Sequence, residues 1–166
     1  MILGLSLQAF TLLHVAISLI AIVSGLVVVI GMLGSQRRAG WTALFVATTV
    51  LTSLTGFLFP INGFTPALGT GIVSVVILAV ALVALYAKHL SGSWRAIYVA
   101  SAVTALYFNV LVLIVQAFLK VPALHALAPA GSEPPFLIAQ GAALVLFVVL
   151  GIAAGFRFHP KPALMF

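Results

Sequence analysis

Five stretches free of Lys, Arg, Asp and Glu succeed one another along the chain, at about residues 7–32, 41–59, 68–87, 96–119 and 136–156. A hydrocarbon layer about 30 Å thick is crossed by roughly 20 helical residues at 1.5 Å each, so each stretch is long enough for one passage. Their apolar runs are continuous, whereas strands of a membrane barrel alternate in polarity over about ten residues. A backbone inside lipid must satisfy its own polar groups, and a helix does so within one segment. The pattern predicts an all-α integral membrane protein: a five-transmembrane-helix bundle forming a single membrane domain over residues 1–166.

Turn and capping residues stand between the stretches. Gly34-Ser35-Gln36-Arg37-Arg38 closes the first, Pro60-Ile61-Asn62-Gly63 follows the second, and Ser91-Gly92-Ser93 divides the third from the fourth. Ser132-Glu133-Pro134-Pro135 opens the fifth, with Ser132 or Glu133 placed to cap and proline accepted in a first helical turn. Between the last two spans, an outer loop at 120–135 contains Val121 to Leu127, which reads as a short interfacial helix started by Pro122. The first stretch reads as a retained helix, because no basic residue precedes it and its apolar run exceeds the 7 to 15 residues of a signal core.

Composition agrees with this placement, since 64% of the residues are apolar and 5% are charged. With Glu133 the only carboxylate and no Cys in the chain, paired-carboxylate hydrolysis, thiol exchange and Fe–S ligation have no reagents here. The net charge of +6 is a matter of position. Arg37, Arg38, Lys88, Arg95, Arg157 and Lys161 fall on one side of the threaded chain, and Lys120 on the other. Under the positive-inside rule the amino terminus is out and the carboxyl terminus in. That topology accounts for the basic excess without nucleic acid, which would need Lys and Arg clustered on a folded face.

Polar residues inside the spans carry the candidate chemistry, because in lipid they need a partner or water. At about 100° per residue, Gln8, Thr11, His14, Ser18 and Gly25 share a face of the first helix that is expected to turn inward. Ser101, Asn109, Gln116 and Lys120 do so in the fourth, and Gln140, Phe147, Gly151 and Gly155 in the last. Gly25, Gly151 and Gly155 read as helix-packing positions, the last two as a small-xxx-small pair. Thr48, Thr49, Thr52, Ser53 and Thr55 can bond back to their own helix and so need no partner. Depth matching puts His14, Thr55, Gln116 and Gln140 in one outer-leaflet layer, with His125 looking down on it. Lys120 and Glu133 stand at the two ends of the loop above, placed to pair.

From Asn109 to Phe136 the chain, through Phe118-Leu119-Lys120-Val121-Pro122-Ala123-Leu124-His125-Ala126-Leu127-Ala128-Pro129 and Ser132-Glu133-Pro134-Pro135-Phe136, resembles a stretch of small uncharacterised polytopic membrane proteins of proteobacteria. The resemblance covers about a sixth of the chain. It implies a bacterial inner membrane and brings no activity with it.

The expected function is that of a small inner-membrane component without a catalytic role: a subunit, assembly factor, or lipid- or small-molecule-binding protein. His14, Asn109, Gln116, Lys120, His125, Glu133 and Gln140 are its candidate binding residues, and no metal site is expected. Membrane lipids and a second copy or another membrane protein are the expected partners. The alternatives are a redox protein holding haem b or a quinone, with His14 and His125 the better-placed pair, and an oligomeric pore or transporter.

Overall fold

The computed structural model describes residues 1–60, 63 and 66–160, with the side chains of Pro66 and Ala67 excepted. Ile61 and Asn62 of the second loop and Lys161 of the tail lie outside the described residues. The described chain is all-helical: α1 (Leu7–Leu33), α2 (Ala39–Phe57), α3 (Pro66–Leu82), α4 (Trp94–Lys120), α5 (Pro122–Leu127) and α6 (Pro134–Arg157). Five segments are long and apolar enough to cross a membrane, with Leu68–Ala87 as the third. Each expected span lies within about three residues of an observed one.

Local chemistry sets these ends. The Ser6 hydroxyl accepts the Ala9 N–H at 3.2 Å and caps α1, while the Gly34 N–H closes its last turn on the Gly31 and Ile30 carbonyls. Val121, extended at φ −88° and ψ 115°, stops α4 because a residue before proline avoids helical geometry. Pro122 starts α5 and Pro134 starts α6, positions whose missing N–H is not needed by the helix.

One element was not expected. Residues Val83–Ala87 continue α3 as a π-helical turn. The wider turn is held by Lys88 N–H on the Val83 carbonyl at 2.9 Å and by Leu90 N–H on the Ala84 carbonyl at 3.0 Å. His89 and Leu90 then take left-handed backbone, φ 50° and 59°, which L-residues adopt only under constraint. Leu90 packs against the core, and Lys88 lies 5.5 Å over the Trp94 ring. No glycine or proline in this run marks the turn in the sequence.

Helices α1, α2, α3 and α4 form a closed ring of neighbours, and α6 packs into the groove between α1 and α4. Gly25 makes the centre possible. A Cβ there would lie 2.6 Å from Leu106 Cδ1 of α4 and 2.8 Å from Phe45 Cε2 of α2, closer than real carbons approach. Three helices thus meet where α1 has no side chain. Phe45 and Leu106 are fully buried on the other sides of that contact. Gly71 plays the same part between α3 and α2, with a Cβ there 2.9 Å from Phe57 Cε1.

The ends of the bundle differ. At one, the Arg95 guanidinium donates to the Phe158 carbonyl at 2.9 Å and the His159 N–H donates to the Ser35 hydroxyl at 2.9 Å. These bonds bring the first loop, the first turn of α4 beside the third loop, and the tail together, and with them Arg37, Arg38, Lys88, Arg95 and Arg157. Lys120 and Glu133 stand at the opposite end, where Phe118 and Phe136 meet edge to face at 5.4 Å.

Candidate functional site

The polar residues singled out from the sequence are divided among separate helix pairs. His14 of α1 places Nδ1 2.7 Å from the Thr55 hydroxyl of α2. With that hydroxyl's proton on the Leu51 carbonyl at 2.7 Å, the hydroxyl accepts from His14, which is the tautomer carrying hydrogen on Nδ1. In the neutral ring Nε2 then keeps its lone pair. Phe59 stands perpendicular to the imidazole at 5.2 Å and in turn contacts Phe10 at 5.1 Å. Gly56 leaves room for the ring, since a Cβ there would sit in ordinary contact with Cε1 at 3.7 Å.

Asn109 of α4 donates through Nδ2 to the Thr49 hydroxyl of α2 at 3.2 Å. Gln140 of α6 donates through Nε2 to the Leu111 carbonyl of α4 at 3.3 Å, and its Oε1 is buried with no hydrogen-bond partner. The hydroxyl run of α2 does more than was expected of it. Thr48 bonds back to Leu44, Ser53 to Thr49 and Thr55 to Leu51. Yet the Thr49 hydroxyl accepts from α4, and that of Thr55 contacts α1 while bonding back. A hydroxyl has two lone pairs beside its single proton, so the back-bonded Thr55 remains an acceptor for a neighbouring helix.

Several expected juxtapositions do not form. The layer of His14, Thr55, Gln116 and Gln140 resolves into His14 with Thr55 and Gln140 with Leu111, while Gln116 is exposed on α4. His125 is exposed on α5, which packs on α4, and so does not look down on His14. Gln8 and Thr11 are exposed rather than inward, Thr11 bonding back to the Leu7 carbonyl at 2.8 Å. Of the glycine pair, Gly151 meets Val103 of α4, where a Cβ would lie 3.5 Å from Cγ1, but Gly155 faces open space. Contact between α6 and α4 continues beyond residue 151 through the ring contact of Phe158 with Tyr98, so it is the Gly155 position itself, on the groove, that is open.

Lys120 does not pair with Glu133. The Glu133 carboxylate folds back over its own loop and accepts the Ala130 and Ser132 N–H groups at 2.9 Å each. It occupies the N-cap position of α6 without capping it through its side chain. The Ala130 N–H above all, helped by that of Ser132, holds the carboxyl below its ordinary value of 4.5. A depressed folded-state pKa adds stability that is fully present above the unfolded value and is lost as pH falls through the folded one. We therefore expect the loop at 120–135 to loosen only below about pH 4.5, and Glu133→Gln to abolish that acid step. Amide exchange at Ala130 and Ser132 across an acid titration reads it, and an unchanged step in the variant would refute the assignment.

Among the described residues no three His, Cys, Asp or Glu converge as metal ligands. A groove of about 450 Å³ lies between α4 and α6, lined almost wholly by apolar side chains, with Tyr107 and Phe147 in ring contact at 5.8 Å along it. No protein-family model, curated protein or solved structure matches this chain.

Proposed function

We propose that this protein is a non-catalytic component of a bacterial inner membrane, amino terminus outside and carboxyl terminus in the cytoplasm, acting as a scaffold for lipid or another membrane protein. One observation carries the reading. The principal polar side chains within the spans are committed to neighbouring helices: His14 to Thr55, Asn109 to Thr49, Gln140 to Leu111. Intramembrane amides and imidazoles that bind substrates or move protons face a cavity or one another; here they act as interhelical bonds, each worth about 0.6 kcal/mol and at most about 1.7. The five basic residues gathered at one end support the orientation through the positive-inside rule.

Gently purified protein should show no visible absorption band and, by native mass spectrometry, only protein and phospholipid. A Soret band, or a stoichiometric quinone lost on His14→Ala, would overturn the reading in favour of a redox protein. Because the chain has no cysteine, Ser132→Cys and Ser93→Cys report orientation in whole cells. An impermeant thiol reagent is expected to label the first and spare the second, and the reverse pattern would invert the topology.

A further inference from the structure

We infer that the α4–α6 face is the seat of a two-fold homodimer, in which the apolar ridge of α6 in one copy fills the α4–α6 groove of the other. The inference rests on the reading of the bundle as a membrane component and names its partner as a second copy of this chain. Helix α6 is the least covered of the five spans: 11% of its membrane window is buried, against 28 to 44% for the others. Beside its contact with α4 lies the groove, walled by Ala96, Ala100 and Val103 on α4 and by Gly151 and Gly155 on α6. A Cβ at Gly155 would meet nothing within 4 Å, so the groove is unfilled there.

Immediately around the helix from Gly151 and Gly155 run Val145, Val149, Ile152 and Phe156, all exposed, Phe156 at 80%. A notch of small residues thus lies beside a row of large ones. In a two-fold dimer whose axis is normal to the membrane, each residue meets partner residues at its own depth, and the contact patch must fit itself. The depths agree. Helices α4 and α6 run antiparallel, with Gly151 opposite Val103 and Phe147 opposite Tyr107; extending that register puts Phe156 level with Ala96 and Ala100. The largest exposed side chain of the ridge therefore stands at the level where the groove is walled by alanine and glycine.

The area is of the right order. From Ile138 to Phe156 the face is about 27 Å long, and two packed helices present a width of about 20 Å. The product is about 550 Å² per copy before corrugation, approaching the roughly 800 Å² per partner of a standard interface. Close backbone approach at small residues is what drives helix association where lipid removes the hydrophobic incentive.

The cysteine-free chain allows a direct test in native membranes. Full-length copies carrying Ala100→Cys and Phe156→Cys are co-expressed and treated with a mild thiol oxidant. The mixed cross-link is expected to exceed that formed with Val76→Cys, a 59% exposed position on α3, by at least tenfold. Gly155→Leu, which has room to fold, is expected to remove the cross-link and convert a dimer mass to monomer while leaving the helical circular dichroism of the chain unchanged. A mixed cross-link no stronger than the α3 control overturns the dimer, as does a monomer retaining phospholipid in the groove. A bound chromophore at either stoichiometry overturns the scaffold reading instead, so the two failures are distinguishable.

Discussion

Gly25→Val is expected to destabilise the bundle by about 3 kcal/mol, the upper range for overpacking a filled core. Even the first added carbon would lie 2.6 Å from Leu106 Cδ1 and within 3 Å of the Phe45 ring. Two helices must then retreat from α1 together, and both side chains are buried with no free direction. Denaturant unfolding in mild detergent, followed by tryptophan fluorescence, measures the loss. Gly155 supplies the contrast: it faces open space, and Ala there is expected to cost nothing and to gain about 0.5 kcal/mol from helix propensity. Equal losses at the two positions would mean that the α1–α2–α4 contact is not as close as described.

Phe45→Ala should cost about 3 to 5 kcal/mol, since it empties the centre of the ring on the α2 side. Its more informative use is in combination. The void left by the ring opens beside Gly25, where the methyls of Gly25→Val need space, so the double variant should be more stable than the sum of the single losses predicts. A coupling of at least about 1 kcal/mol is expected for residues in direct contact. Strict additivity in the same unfolding measurement would place the two side chains apart and reject the packing described.

The spans were legible in the sequence because lipid imposes a one-dimensional rule. A run without charge, long enough and closed by Gly, Ser or Pro, leaves few alternatives, and Leu7–Leu33 or Trp94–Lys120 could be bounded to within a turn. Facing was less legible. Gly25 shares an expected inward face with Gln8 and Thr11, yet those two are exposed near the helix start, Thr11 bonding back to the Leu7 carbonyl. The in-span polar set was identified by type and then misjoined. Angular position on one helix gives no partner on another, and His14, Gln116 and Gln140 share a depth without sharing a neighbour. Glu133 shows the same limit: loop ends that suit an ion pair with Lys120 also suit two backbone N–H groups nearer at hand. The π-helical turn at Val83–Ala87 leaves no trace in composition, because no Gly or Pro breaks the helix there and the turn shows only in the fold, where Leu90 beyond it packs against the core.

The ring of α1 to α4 closes on contacts made before α6 is reached along the chain, and α6 then seats in the groove between α1 and α4. For a chain built and inserted from its amino terminus, the order of synthesis is the order of closure. Just past α6, the Phe158 carbonyl and the His159 N–H then fasten the first turn of α4 and the first loop. A chain halted after α4 would lack Phe147, Ala154 and Phe158 from its core and leave these ends untied, so the carboxyl-terminal segment works as the clasp of a finished bundle.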